Sequence, residues 1–152
     1  MEERHQVLSG IHPILVGDLL AALDRLGHGE ELVVADANFP AHGVGAPVVE
    51  TPGLSSPAVV EAIRTVFPLD EYEAESVLLM RSEDAVRPPV QEALVAAASA
   101  PVDRVGELER FAFYERARGA RLVVRTGEQR PYGNLVLRKG VVGEYRPAGA
   151  AR

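Results

Sequence analysis

The sequence predicts an α/β fold, with a single domain over residues 1–152 in which helices flank a central mixed, partly parallel β-sheet. Short, continuous apolar segments alternate with amphipathic segments along the chain, which is typical of strands and helices that follow one another in an α/β domain. A chain of 152 residues, with 47% apolar and 25% charged residues, suits one hydrophobic core. No internal repeat or low-complexity segment interrupts this pattern.

The first predicted element is an amphipathic helix over residues 14–26. Five leucines recur there at helical spacing, and Asp18, Asp24 and Arg25 fall between them. We expect Gly27 to end the helix as its C-cap, because glycine readily adopts the left-handed conformation that this position favours.

The other elements follow from apolar runs, which predict strands, and from serine or proline start signals, which predict helices. Strands are predicted at residues 32–35, 48–49, 76–80, 105–108, 121–125 and 135–137. Helices are predicted from residue 55 or 56 to about 66, from residue 88 or 89 to about 98, and over 110–118. Val59, Val60 and Ile63 are expected to face inward, and the tail after about residue 145 is expected to fray.

The composition excludes several kinds of site. The chain has no cysteine, which excludes disulfides, thiolate metal ligands and a cysteine nucleophile. Its single lysine, Lys139, makes Schiff-base chemistry an unfavoured class. The net charge of −6 argues against a nucleic-acid partner. No apolar run approaches the ~20 residues of a membrane span, and the first six residues do not resemble a signal peptide, so we expect a cytoplasmic protein without a membrane partner.

His28 is the strongest candidate for chemistry. It lies between two glycines after the first predicted helix, and imidazole can both give and take a proton near neutral pH. A helix C-terminus would favour the protonated ring, which suits a proton donor. The alternative is a histidine that caps the helix by bonding its last carbonyl groups.

Asp36 ends the first predicted strand, where α/β proteins often place ligand-binding groups. We expect the short strand to bring the loops of His28 and Asp36 near each other. The alternative for Asp36 is a turn residue that bonds its own backbone. His28, Asp36 and His42 do not match the spacing of a common metal site, so no metal is expected.

Two further segments carry polar groups suited to a small ligand. Arg110 and Tyr114 are four residues apart and share a face of a predicted helix. Phe111 and Phe113, beside them, are expected to be packing residues. In Tyr132-Gly133-Asn134 the glycine frees the backbone and the asparagine offers both a donor and an acceptor. The alternatives are a solvated arginine above a half-buried aromatic ring and an ordinary turn. Taken together, these groups fit proton transfer on a neutral, polyhydroxylated ligand.

Three segments resemble the fucose mutarotase branch of the family that also contains the ribose pyranase. The first, residues 27–42, reads Gly-His-Gly-Glu-Glu and continues to Asp36 and Phe-Pro-Ala-His. The second, residues 109–117, reads Glu-Arg-Phe-Ala-Phe-Tyr-Glu-Arg-Ala, and the third, residues 126–134, contains Thr-Gly-Glu and Tyr-Gly-Asn. The resemblance spans residues 14–142. It implies an α/β fold and ring-shaped homo-oligomers, typically decamers, in which neighbouring subunits complete each active site.

The resemblance also implies a role for each candidate residue. His28 resembles the proton donor of the family, and Tyr114 is a plausible proton-transfer partner, with Tyr132 as the alternative. The residues that resemble the family's sugar-binding groups are Asp36, Arg110, Tyr132, Gly133 and Asn134.

Two positions bear on the choice of sugar. The ribose pyranase branch typically has histidine in place of Arg110 and lacks the Phe-Ala-Phe-Tyr-Glu-Arg run, which favours fucose over ribose. Asn38 stands where a bacterial fucose enzyme often carries histidine, and asparagine can hydrogen-bond but cannot titrate.

We therefore expect an isomerase that interconverts the α and β anomers of a free monosaccharide, L-fucose before others. General acid/base catalysis would open and close the sugar ring without a metal or cofactor. Two alternatives stay open: a non-catalytic sugar-binding accessory of an uptake system, and a pyranase that acts on ribose. A metal-dependent isomerase is disfavoured by the weak ligand spacing.

Overall fold

A computed structural model describes residues 7–147 of the chain, and the last part of the tail that was predicted to fray, residues 148–152, lies outside them. The strands are β1 (Glu31–Ala35), β2 (Val48–Thr51), β3 (Val77–Met80), β4 (Val105–Leu108), β5 (Leu122–Thr126) and β6 (Leu135–Arg138). The helices are α1 (Gly17–Asp24), α2 (Ser56–Arg64), α3 (Pro89–Ala98) and α4 (Arg110–Arg118).

The six strands form one sheet in the order β2-β5-β1-β6-β3-β4. The pairs β1/β5, β2/β5 and β3/β4 are parallel, whereas β6 runs antiparallel to both of its neighbours, β1 and β3. The four inner strands, β5, β1, β6 and β3, are almost entirely buried, in keeping with their continuous Val and Leu runs. The predicted mixed, partly parallel sheet is confirmed.

Helices cover both faces of the sheet. Successive side chains of a strand point to opposite faces, so Leu32 and Val34 pack in a core with α1, α2 and α3, whereas Val33 and Ala35 pack in a second core with α4 and the loop after β1. The inward positions predicted for α2, among them Ile63, are fully buried. The single domain therefore has three layers, with α4 alone on the second face.

The first helix is shorter than predicted. It begins at Gly17 and ends at Asp24, with Arg25 as its C-cap, so the prediction of Gly27 as the cap is wrong. Leu15 and Leu26, which extended the apolar pattern, are buried in the same core although they lie outside the helix. Buried leucines at helical spacing therefore extend past both ends of the helix, into residues whose backbone is not helical. None of the helices in residues 7–147 is long and apolar enough to cross a membrane.

Gly140 permits a close backbone approach at the end of β6. A Cβ atom there would lie 2.7 Å from the carbonyl carbon of Leu69 and 3.1 Å from the nitrogen of Asp70. We predict that Gly140→Ala lowers the free energy of unfolding by about 1–3 kcal/mol, because backbone must move to admit the methyl group. Urea unfolding at a fixed protein concentration measures this change.

The matched control is Gly17→Ala at the start of α1. A Cβ atom on Gly17 would meet nothing within 4 Å, and alanine is a better helix former than glycine. Its stability should equal or slightly exceed that of the wild type. Equal stabilities for the two variants would contradict the close packing at Gly140.

Candidate active site

The predicted site residues form two clusters at opposite ends of β1. His28 lies before the strand and Asp36 directly after it. Five residues of extended strand, at about 3.3 Å each, span roughly 16 Å. The expectation that the short strand brings His28 and Asp36 near each other within one chain is therefore wrong, because an extended strand separates its two ends by its whole length.

The first cluster, the Asp36 cluster, is built on the antiparallel pairing of β1 and β6. Val34 lies opposite Leu135, so the residue after β1 meets the residue before β6. The backbone N–H of Asp36 donates to Asn134 Oδ1 at 2.7 Å, and Asn134 Nδ2 donates to Asp36 Oδ2 at 3.1 Å. This reciprocal pair needs a donor and an acceptor on one side chain, which an asparagine provides. Both residues are buried.

The environment of Asp36 changes its acidity. Burial raises the pKa of the Asp36 carboxyl, and hydrogen bonds from the Asn38 N–H, at 3.0 Å, and from Asn134 offset this only in part. The net direction is a pKa above the usual value. A desolvated carboxyl at the C-terminal end of a central strand suits hydrogen bonding to the hydroxyl groups of a ligand.

The segment beside Asp36 has a constrained backbone. Tyr132 has a positive φ of 63°, which is uncommon for a residue other than glycine. The buried Gln91 supports it, since Gln91 Nε2 donates to the carbonyl of Tyr132 at 3.1 Å and to that of Met80 at 2.6 Å. At Gly133 a Cβ atom would lie 2.8 Å from Glu128 Cγ. The backbone of this segment is thus fixed on both sides.

Sequence analysis missed Gln91, which falls in a segment without a recognisable motif. The only signal was a polar residue on the inward face of an alanine-rich helix.

A cleft of about 440 Å³ opens at this end of the sheet. Arg110 and Tyr132, from two different predicted segments, both line it, and the Arg110 guanidinium lies 4.7 Å from the centre of the Phe111 ring. The lining residues are Arg81, Ser82, Glu83, Ala85, Glu109, Arg110, Phe111 and Tyr132.

The aromatic residues of α4 divide between the core and the surface. Phe113 is fully buried, whereas Phe111 is 62% exposed and packs at the surface, with its ring 6.2 Å from that of Tyr114. The helix contacts the sheet through Phe113 and Ala117, one turn apart, which turns Phe111 outward. Tyr114 is half-buried, with its ring 5.5 Å from that of Phe39.

The second cluster, the His28 cluster, lies at the other end of β1. His28 Nε2 lies 3.1 Å from Asp70 Oδ1, and the His28 and Tyr72 rings are 5.1 Å apart. The side chain of Asp70 is 1% exposed, whereas that of His28 is 45% exposed. Because α1 ends at Asp24 and the His28 ring meets a carboxylate, the interpretation of His28 as a helix cap is wrong.

Asp70 is strongly acidic in spite of its burial. Burial raises the pKa of its carboxyl, but the Glu73 N–H, the His28 ring, the Tyr72 N–H and the Arg138 guanidinium outweigh that effect and lower the pKa to about 2. The carboxylate is therefore ionised at neutral pH. Sequence analysis missed Asp70, which is 42 residues from His28 along the chain.

The third candidate metal ligand of the sequence analysis lies apart from both clusters. His42 is exposed, and its Nε2 lies 2.8 Å from Glu50 Oε1. Over residues 7–147 the structure brings together no group of three or more His, Cys, Asp or Glu side chains that would hold a metal ion.

Comparison with known proteins places this chain among close relatives. The model of the RbsD / FucU transport protein family matches residues 9–142. An L-fucose mutarotase of Actinobacillus pleuropneumoniae is 39% identical over 140 residues, which cover 89% of this chain and 97% of the relative.

Two crystal structures share the fold. FucU from Bifidobacterium longum is 41% identical, with a TM-score of 0.83, and the match covers 89% of this chain and all of that one. The fucose mutarotase of Streptococcus pneumoniae, solved in complex with L-fucose, is 31% identical with a TM-score of 0.83, over 90% of this chain and all of that one.

The pKa of Asp70 predicts a loss of stability in acid. A carboxyl whose pKa is lowered from 3.8 to about 2 stabilises the fold fully above pH ~4, and this contribution is lost as the pH falls toward 2. The shift corresponds to about 2 kcal/mol. We predict that Asp70→Asn is less stable than the wild type at pH 6 and that the difference shrinks toward pH 2.

Urea unfolding at pH 6, 4 and 3, at one protein concentration, measures this difference. The control is Asp24→Asn at the exposed end of α1, which should keep the pH dependence of the wild type. A constant difference between Asp70→Asn and the wild type at all three pH values would show that Asp70 does not supply this acid-labile stability.

Proposed function

The chain belongs to the RbsD / FucU transport protein family, and from this premise we propose that it is a mutarotase that interconverts the α and β anomers of a free monosaccharide, L-fucose before others. The observation that carries the proposal is the similarity of nearly the whole chain to an L-fucose mutarotase and to a fucose mutarotase in complex with L-fucose. The cleft lined by Arg110 and Tyr132 supports it, since it opens at the end of the sheet where Asp36 and Asn134 form their buried pair.

The proposed chemistry is proton transfer. One group takes the proton of the anomeric hydroxyl while another protonates the ring oxygen as the C1–O5 bond breaks. The open-chain aldehyde rotates about C1–C2 and closes on the other face, and the two protons return. General acid/base assistance is worth about 10²–10⁴-fold, which suffices for a reaction that also proceeds slowly in water.

We assign proton transfer to His28 and the fixing of the sugar hydroxyls to a second set of residues. Tyr114 is the proposed partner of His28, and Tyr132 is its alternative. The residues proposed to hold the sugar are Asp36, Arg110, Tyr132, Gly133 and Asn134.

We further propose that two copies of the chain form each site. The length of β1 keeps His28 away from the Asp36 cluster of its own chain, so one sugar cannot contact both. His28 is half exposed, and the Arg110 cleft opens to the surface, so each cluster is accessible to a second copy. A ring-shaped homo-oligomer, a decamer by family resemblance, satisfies this requirement.

A second candidate is a non-catalytic sugar-binding accessory of an uptake system. The description of the family as one of transport proteins favours it. Both candidates bind sugar, so only the rate of anomer exchange separates them. The preference for fucose over ribose and the cytoplasmic location stay predictions.

We predict that His28→Ala lowers the enzymatic rate of anomer exchange by about 10²–10⁴-fold, because it removes the proposed proton-transfer group. Saturation-transfer NMR between the anomer signals of L-fucose, ribose, galactose and rhamnose measures the rate. His42→Ala is the matched control, since His42 is an exposed histidine paired with Glu50. An exchange rate that wild-type protein does not raise for any of the four sugars would favour the binding accessory.

Mixed oligomers test whether two chains form each site. His28→Ala and Arg110→Ala should both be nearly inactive alone. When the two variants are unfolded together and refolded as a mixture, about a quarter of the sites should receive both intact residues from different chains. We therefore expect recovery of up to that share of wild-type activity. Mixed oligomers that form, as shown by native mass spectrometry, but stay inactive would contradict the proposal.

A further inference from the structure

We infer that Asp70 is a positioning residue for His28, which holds the neutral imidazole with its hydrogen on Nε2 and so makes Nδ1 the atom that exchanges protons with the sugar. This inference rests on the proposed function of His28. Nothing in the sequence motifs points to Asp70.

The carboxylate of Asp70 has four hydrogen-bonding partners, two on each oxygen. Oδ1 lies 3.1 Å from His28 Nε2 and 3.2 Å from the backbone nitrogen of Tyr72. Oδ2 lies 3.0 Å from the backbone nitrogen of Glu73 and 3.1 Å from Arg138 Nε. The carboxylate is thus surrounded by nitrogen atoms and shielded from solvent.

This arrangement selects one tautomer of His28. An ionised carboxylate can only accept hydrogen bonds, so the ring nitrogen that faces it must carry a hydrogen. In the neutral ring that nitrogen is Nε2, and the lone pair is left on Nδ1. Nδ1 can then take the proton of the anomeric hydroxyl, and the resulting imidazolium stays bonded through Nε2 to the negative Asp70.

The surroundings hold this geometry in place. The backbone nitrogen of Asp70 donates to the carbonyl of Arg138 at 2.9 Å, and that of Gly29 donates to the carbonyl of Lys139 at 2.9 Å. The loops of Asp70 and His28 are therefore both fixed to the end of β6. A tautomer held by a fixed neighbour does not have to be selected anew in each catalytic cycle.

The charged and titratable groups around the pair lie on several elements. Asp70, Tyr72 and Glu73 approach from the segment before β3, and Arg138 approaches from β6. Arg138 lies 3.5 Å from Glu31 of β1 and 3.8 Å from Glu73, so its charge is shared among three carboxylates. Arg104 donates to the carbonyl groups of Asp70 and Glu73, and Arg116 binds Glu31, so the three carboxylates lie among three guanidinium groups.

Asp70→Asn should reverse the tautomer. The amide that this substitution introduces can present its oxygen to only one pair of partners and its NH₂ group to the other. The backbone N–H of Glu73 and the guanidinium of Arg138 are obligate donors on one side, whereas the other side has one obligate donor, the backbone N–H of Tyr72. The oxygen should therefore face Glu73 and Arg138, which breaks one hydrogen bond instead of two, and the NH₂ group should face His28. His28 is the one partner that can change from donor to acceptor, by moving its hydrogen to Nδ1.

Magic-angle-spinning NMR of full-length protein with ¹⁵N-labelled histidine reports the tautomer directly. The chain has four histidines, and a spectrum of His28→Asn assigns the His28 signals by difference. At pH 8 we expect the Nε2–H form in the wild type and the Nδ1–H form in Asp70→Asn. An Nδ1–H form in the wild type overturns the inference, even if Asp70→Asn does not fold.

The kinetic test is anomer exchange by Asp70→Asn over a range of pH. We expect kcat to fall at least about tenfold and the pH profile of kcat to change shape, with KM within about twofold of the wild type, because the sugar-binding groups are intact. A reversed tautomer with unchanged kcat and pH profile overturns the inference. If wild-type protein accelerates no exchange, the proposed function fails, while the tautomer measurement still decides whether Asp70 orients the ring.

Glu50→Gln is the matched control. It removes the carboxylate of another histidine–carboxylate pair, that of His42, which lies outside both clusters. The His28 signals and the exchange rate should match those of the wild type. A loss of activity equal to that of Asp70→Asn would assign the effect to a general change in charge and overturn the inference.

Discussion

The antiparallel pairing of β1 with β6 is the contact on which both clusters depend. At one end it places Asp36 against Asn134, and at the other it places Glu31 opposite Arg138, whose guanidinium binds Asp70. The two strands form the middle of the sheet and are buried on both faces, so their register cannot slip without exposing apolar side chains. One buried register therefore fixes the polar groups at both ends of the sheet.

The two buried aspartates show how environment, rather than residue type, sets chemistry. Burial raises the pKa of the Asp36 carboxyl, and the hydrogen bonds that it accepts do not offset this effect. Asp70 is buried as well, but its four hydrogen-bonding partners, one of them the Arg138 guanidinium, lower its pKa to about 2. The first is suited to share hydrogen bonds with a neutral ligand. The second is suited to remain an anion beside a ring that gains and loses a proton.

The extended strand β1 keeps the functional groups at its two ends apart. Because β1 is extended, the loop before it and the loop after it lie at opposite ends of the strand, and a sugar shorter than the strand cannot reach both loops. Assembly of copies is then part of the proposed chemistry rather than an addition to it.

The sequence by itself determined most of the fold and supplied the candidate residues of the proposed site. Strand and helix periods are local properties, so the apolar runs located all six strands, and three motifs carried His28, Asp36, Arg110 and the Tyr132-Gly133-Asn134 segment. Only the tertiary structure decided which of these groups meet. The pairing of Asp36 with Asn134 spans 98 residues and that of His28 with Asp70 spans 42, and both follow from strand order and direction, which no local period encodes. The same reason explains why Asp70 and Gln91 escaped the motifs. The distance between His28 and Asp36 in one chain follows instead from the length of β1 itself.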